Sequence, residues 1–268
     1  MSKSVQIIVA THKKYDMPPD AIYLPLQVGA ACKPDLELGY TKDHTGENIS
    51  GKNAGYCELT GLYWAWKNLD ADYIGIVHYR RHFGRKIKGA DVFDGIMTSH
   101  ELVPLLEHYT VFVPKKRHYY IETLYSHYAH TLYLEPLDIS RQIIEKKYPD
   151  YIKAFDDIMQ QKWGYMFNMF ILRRNELNQY CGWLFDILFD LENQVSNSRL
   201  SDFHARFYGR VSEILFNVWL RQQIMQGNIL QEQVKELDYI YMEKVDWFRK
   251  GRAFLGAKFL GRKYEGSF

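Results

Sequence analysis

Apolar residues along this chain fall into short runs of two different periods. Val5–Ala10 (VQIIVA) is a β-branched run ending at Thr11-His12, and Tyr73–His78 (YIGIVH) is a second such run. Unbroken apolar runs of this length predict strands buried on both faces, as in parallel sheets. Between them, Tyr56–Asn68 (YCELTGLYWAWKN) places Leu59, Leu62, Tyr63 and Trp66 three and four apart, which predicts one amphipathic helix. Pro18, Pro19 and Pro25 predict an irregular stretch after the first strand. The polar segment Leu36–Asn53, with Gly39, Gly46 and Gly51, predicts a long loop. Further along, Thr110–Val113, Met166–Leu172 and Tyr239–Met242 read as strands. Ile121–Leu132, Ile139–Tyr148, Tyr151–Gln160, Asn175–Glu192 and Val211–Gln226 read as helices. Strand, loop, helix and strand at this spacing indicate an α/β fold.

The length of 268 residues, 47% of them hydrophobic, suits one large domain with a full core. The 21 Tyr, 15 Phe and 6 Trp suit either stacking against sugars or bases, or simply a Tyr-rich core. Cys32, Cys57 and Cys181 are far apart, odd in number and without a CxxC pair. They point to a reducing compartment and argue against a disulfide framework or a zinc site. No signal-peptide run opens the chain, and no segment approaches the ~18 consecutive apolar residues of a membrane span, so a cytoplasmic location is expected. Charge is uneven. Lys244–Lys263 carries seven Lys/Arg and one acidic residue, so the remainder of this +2 chain is acidic. Trp247, Phe248, Phe254, Leu255, Phe259 and Leu260 interleave with those cations. The expected organisation is therefore a domain over residues 1–243 and a basic amphipathic tail over 244–268. The tail would lie on the anionic inner face of the cell membrane. Nucleic acid is the competing partner for such a tail, and the acidic remainder argues against it.

The strongest chemical constellation is His78-Tyr79-Arg80-Arg81-His82-Phe83, where the second buried run ends. Ligands of open α/β sheets bind outside the carboxyl ends of the strands. Adjacent arginines there offer planar forks matched to phosphate oxygens. The loop Asp43–Asn53 (DHTGENISGKN) is weaker: it has glycines and neutral polar groups, but no GxxxxGK[ST] order. Asn168 stands inside an apolar run and needs a partner, either the backbone or a ligand hydroxyl. Glu213 falls at the start of the helix expected from Val211, where a carboxylate is either good dipole chemistry or a general base. His127 and His130 lie three apart, but no carboxylate partner is evident beside them, so aromatic-flanked packing is the preferred reading.

The run GENISGKNAGYCELTGLYWAWKN, followed by DYIGIVHYRRHF, resembles the signature of a family of bacterial capsular and exopolysaccharide biosynthesis proteins. That family is catalogued as a domain of unknown function and read as glycosyltransferases. The resemblance runs from Val5 to about Gln226. It implies a GT-A-like, Rossmann-type mixed sheet flanked by helices. It also implies transfer of a hexose, galactose in pyranose or furanose form, from a UDP-sugar to a lipid-linked glycan. A non-catalytic glycan- or phosphate-binding protein of a polysaccharide assembly complex is the alternative. Donor contacts are then expected from Thr11, His12, Asn48, Ser50, Lys52, Asn53, His78 and Tyr79, and acceptor contacts from Asn168 and Arg210. Glu213 is the expected base, with Glu58 as second candidate. The metal-binding Asp-x-Asp typical of such folds is replaced by His78-Tyr79-Arg80, while Asp70-Ala71-Asp72 precedes the strand and sits at the wrong edge. Arg80 and Arg81 are therefore expected to neutralise the leaving diphosphate without a metal, with Mn²⁺ at His78 as the live alternative and Mg²⁺ also open.

Overall fold

The structure is a computed structural model and describes residues 3–195 and 204–243. The strands are β1 (Val5–Thr11), β2 (Tyr23–Gln27), β3 (Thr41–Lys42), β4 (Tyr73–His78), β5 (Arg81–Phe83), β6 (Val111–Pro114), β7 (Arg117–His118), β8 (Trp163–Gly164), β9 (Phe170–Arg173), β10 (Val234–Leu237) and β11 (Tyr239–Tyr241). The helices are α1 (Asn53–Tyr56), α2 (Leu59–Asn68), α3 (Ser99–Leu102), α4 (Leu124–Thr131), α5 (Glu135–Lys147), α6 (Ile152–Gln160), α7 (Arg174–Gln194) and α8 (Phe207–Met225). The main sheet runs β10-β6-β9-β4-β1-β2-β3. Its neighbours are parallel except β9, which is inserted antiparallel between β6 and β4. A hairpin extends β4 into β5, which pairs with β11, and β7 pairs with β8 in a separate ribbon.

Both faces of this sheet are buried, which explains its unbroken apolar runs. Ile8, Ala10, Ile74 and Ile76 pack with Leu59, Leu62, Leu184 and Leu215 of α2, α7 and α8 in one core. Ile7, Val9, Tyr73 and Val77 face the other way, into a smaller core with Phe83, Leu102 and Leu106. Gly61 permits the close approach of α2, because a Cβ there would stand 2.8 Å from Val28. Much of the aromatic content is spent on packing: Tyr56 stacks on Tyr208 at 4.4 Å, Phe170 on Phe216 at 5.0 Å, and Trp219 and Tyr180 are fully buried.

Five expectations about elements are corrected. The proline-rich stretch contains strand β2, with Pro25 opposite Val9. Ile7 donates to Ile22 O and Val28 donates to Thr11 O, so even-numbered residues of β2 bond β1 and the Pro25 nitrogen faces the other side. There β3 begins only opposite Leu26, so no ladder bond is lost. The predicted loop Leu36–Asn53 accordingly contains β3 and a 3-10 turn at Ser50–Lys52. The single helix expected over Tyr56–Asn68 is broken at Cys57, which is left-handed (φ 52°). The strand expected over Met166–Leu172 starts only at Phe170, because Phe167 (φ 79°) and Asn168 (φ 49°) form a left-handed turn before it. Finally, α8 begins at Phe207, not Val211, which places Glu213 in its second turn.

Candidate active site

The candidate site is built at the carboxyl end of β4. His78 pairs across the hairpin with Arg81, and Tyr79 and Arg80 form the turn between them. The turn is fixed by Tyr79, which is buried. Its ring meets His78 at 4.4 Å, His12 at 5.5 Å and Tyr15 at 5.0 Å, with Lys13 at 4.9 Å from its centroid. Its face is therefore covered by protein. The Arg80 backbone amide donates to His78 Nδ1 at 3.3 Å. Arg80 itself lies beside the Tyr79 ring (5.4 Å), and Arg81 lies over Phe167 (4.3 Å) and Tyr241 (5.2 Å). The Nε atoms of both arginines are buried without a hydrogen-bond partner among the described residues. No carboxylate of the described residues lies within 4.0 Å of either guanidinium.

Desolvated cations raise the local potential, and the histidines register it. Burial lowers His78 well below its ordinary value, and the charges of Arg80, Arg81, His12 and His82 lower it further. His12 is lowered by burial, then by Lys33, Arg206, Arg80 and Lys13. Cations from four separate segments thus converge on one edge of the sheet, and their effect on these histidines is uncompensated by acid. Arg80 and Arg81, guanidinium forks with no ion pair among the described residues, give this edge the chemistry that suits an anion.

Two carboxylates lie beside it. Glu58 follows the left-handed Cys57, and its Oε1 accepts from Asn168 Nδ2 at 2.7 Å. Asn168 Nδ2 also donates to Gly209 O (2.8 Å), while Asn168 Oδ1 accepts from Ser212 Oγ (2.8 Å). Asn168 therefore ties Glu58 to the start of α8. Glu213 lies one helical turn beyond Gly209. Burial, with the neighbouring Glu58 charge second, pushes its carboxyl up to about 7. The Phe167 backbone amide, Arg117 and Arg81 pull in the other direction. Asn217 locks this corner by accepting from Tyr165 N (2.8 Å) and donating to Tyr165 O (2.9 Å) and Glu213 O (2.7 Å). Arg210 lies in the same corner, where burial lowers it and Tyr128, Cys57 and Glu213 act to raise it.

The other predicted residues have structural duties. Thr11 is fully buried, and its hydroxyl turns back to Lys13 O at 2.7 Å, capping the strand end. Asn48 donates to His44 O and Gly46 O. Ser50 bonds Asp43 and the Ala31 amide. Lys52 is paired with Glu192 at 2.7 Å, and Asn53 donates to Cys57 O and Thr60 Oγ1. In this structure the polar side chains of the motif are engaged by the scaffold. Its centre is Asp43, fully buried, which accepts from Gly29 N (2.8 Å), Ala30 N (3.0 Å), Thr60 Oγ1 (2.7 Å) and Ser50 Oγ. Asn168 is likewise saturated by protein, and serves Glu58 rather than lying in a strand. His127 and His130 do have a carboxylate partner: both Nδ1 atoms meet buried Glu122, at 2.9 and 2.6 Å. The described residues contain no cluster of three or more His, Cys, Asp or Glu arranged to hold a metal ion. Asp72 instead caps the opposite edge of the sheet, accepting from Ser4 N at 2.8 Å. No described helix is long and apolar enough to cross a membrane, and the expected tail 244–268 lies outside the described residues.

Arg117, Arg206 and Asp43 are contributors that sequence reading missed. Arg206 stands four residues before Arg210, a same-face helical spacing that was a usable signal. Arg117 carries no local motif and is brought in only by the β7 ribbon.

No curated protein matches the chain. One solved structure, described as the apo form of the WbbM bifunctional glycosyltransferase, is 32% identical over 90% of this chain with a TM-score of 0.82. This chain spans less than half of that one, 46% of its length. The match agrees with a GT-A-like mixed sheet flanked by helices in a single domain. A family model described as a domain of unknown function, DUF4422, covers residues 6–224, and the chain belongs to that family.

Proposed function

We propose that this protein is a nucleotide-sugar-dependent glycosyltransferase that uses Glu213 as general base and arginines to hold the diphosphate. The observation that carries this reading is that Glu213, poised near neutral pH, feels the charge of Arg81, and that Arg81 and Arg80 have buried Nε atoms without a hydrogen-bond partner among the described residues. A base is most effective when its pKa lies near the working pH. The 32% identity to a bifunctional glycosyltransferase supports the same reaction class.

In this reading the diphosphate of a UDP-sugar lies between Arg80, Arg81, Arg206 and Lys33, with His12 and His78 at its margin. The acceptor hydroxyl passes its proton to Glu213 as its oxygen bonds the anomeric carbon. The bond from that carbon to the phosphate oxygen breaks, and its electron pair leaves with UDP. Fixed cations stabilise the charge that develops on the leaving group. Asn168 positions Glu58, whose negative charge helps to hold Glu213 near neutrality. The hexose, galactose in either ring form, the lipid-linked glycan acceptor, the role in capsule or exopolysaccharide synthesis, and attachment to the inner membrane face through residues 244–268 all belong to this proposal. So does independence from a metal.

The test is UDP release from a panel of UDP-sugars, with and without glycan acceptors, by wild type and Glu213→Gln. Turnover by wild type and its loss in the variant support the proposal, while binding of UDP-sugars without any turnover favours a non-catalytic binding protein. Full activity in EDTA supports diphosphate binding by arginine, and restoration by Mn²⁺ after chelation overturns it.

A further inference from the structure

Arg117 is a cation that the donor reading leaves without employment. It is half-buried at the start of the β7 ribbon, 5.1 Å from the Tyr119 ring and 5.9 Å from Phe167. It makes no ion pair to a described carboxylate. Its charge acts on Glu213, Tyr239 and His127, whereas His12 is shifted by Lys33, Arg206, Arg80 and Lys13. Arg81 pairs with His78 across the hairpin and lies over the Phe167 ring, and its charge acts on both His78 and Glu213.

Phe167 is the residue that assembles this corner. Its ring is shared by the Arg81 and Arg117 guanidiniums, at 4.3 and 5.9 Å, and by Tyr239 at 5.3 Å. Its backbone amide serves Glu213. Its left-handed backbone (φ 79°) is what lets one residue do both. Two guanidiniums over a single ring repel each other, and an anion shared between them offsets that repulsion. Stacked guanidiniums keep their in-plane N–H donors available for a bidentate oxyanion.

The side of the reaction follows from the base. Where a carboxylate activates the attacking hydroxyl, it works on the face of the sugar opposite the leaving group. Groups beside Glu213 therefore face the acceptor. We infer that Arg117, beside the Phe167 ring, forms a second oxyanion subsite bordered by the diphosphate-binding Arg81, which selects an acceptor bearing an acidic group, a phosphate or a sugar carboxylate, next to the hydroxyl that is glycosylated. This rests on the proposed role of Glu213 as base.

The experiment is calorimetric titration of the full chain, first with UDP alone and then, at saturating UDP, with three probes: N-acetylglucosamine 1-phosphate, methyl glucuronoside and neutral methyl glucoside. The expected result is that one or both acidic probes bind the UDP-loaded protein at least about 10-fold more tightly than the neutral sugar. Preference for the phosphate or for the glucuronoside identifies the source of the acid. Arg117→Gln should remove that preference while leaving UDP affinity within about twofold, since a lost charge-assisted pair is worth about tenfold or more in affinity. Equal binding of all three probes overturns the inference. So does displacement of UDP by the acidic probes, or an Arg117→Gln variant that loses UDP instead. Failure of UDP to bind at all counts against the donor reading separately. An unchanged melting temperature and circular dichroism spectrum for Arg117→Gln show that the variant is folded.

Discussion

Glu213→Gln should produce a more stable protein that has lost its activity. The wild-type carboxyl titrates at about 7 in the folded protein against an ordinary 4.5. Between those values the folded state binds more protons than the unfolded chain, so stability falls as pH rises from 4.5 to 7 and is level above. The full cost of ionising Glu213 in place is then about 3 kcal/mol above pH 7. Glutamine keeps the volume and an oxygen for the Phe167 amide, but turns an NH₂ group toward Arg117 and Arg81. A net gain of about 1–2 kcal/mol is therefore expected at pH 8, and none at pH 4. For a chain of this size that is roughly 2–8 °C in melting temperature. Thermal unfolding of both proteins across pH 4–9 measures it directly. The same substitution should lower kcat/KM by about 10²–10⁴, while wild-type kcat/KM rises with pH to a plateau with its midpoint near 7. A variant equally destabilised at pH 4 and pH 8 would show that Glu213 is not held against its charge. Wild-type turnover in the variant would remove it as base.

Other perturbations probe the remaining parts of the site. Arg80→Ala removes a guanidinium whose buried Nε has no protein partner, so it should leave the melting temperature almost unchanged and weaken UDP about 10–100-fold, read by calorimetry. Asp43→Ala should cost about 3–5 kcal/mol in urea unfolding, because two backbone amides and two hydroxyls lose a buried acceptor at once. His82 is fully buried, and burial lowers its imidazole to about 4, with a Tyr79 backbone contact opposing only in part. In that window the unfolded chain binds the extra proton, so the contribution of neutral His82 is intact above pH 6.5 and is lost as pH falls to 4, by at most about 3 kcal/mol. His82→Phe should flatten the acid limb of the stability profile, as followed by denaturant titration at pH 4, 5 and 7.

The frame of this fold was legible because burial on both faces leaves an unmistakable run of apolar residues, as in β1 and β4, and because α7 and α8 repeat their apolar face over many turns. Strand β2 was hidden by Pro25, whose cost vanishes only because its nitrogen faces a side where pairing has not yet begun. The family motif shows a scaffold duty that its sequence does not announce. NIS-x-KN is distinctive in sequence, and its side chains clamp the loop through Asp43 and Asn53. A Cβ at Gly29 would stand 2.5 Å from Asn53, so the fit itself accounts for that pairing of residue types.

The two places where local expectation fails hardest are the two that aim carboxylates. Had the helix run unbroken through Cys57, Glu58 would have followed the helical path; had the strand run from Met166, Asn168 would have alternated with its neighbours across the sheet. Instead Cys57, Phe167 and Asn168 are left-handed without being glycine, a conformation that costs roughly 1–2 kcal/mol at Cys57 and Phe167 and less at Asn168, since asparagine tolerates it. Nothing in the residue types of Cys57 and Phe167 announces this. It is sustained by tertiary bonds: Asn168 reaches Glu58 and Gly209, and Ser212 holds Asn168 in turn. Three of the four described non-glycine residues with positive φ, all but Tyr120, thus lie around Glu58 and Glu213, where two neighbouring carboxylates are held against burial and mutual repulsion, as the proposed base requires.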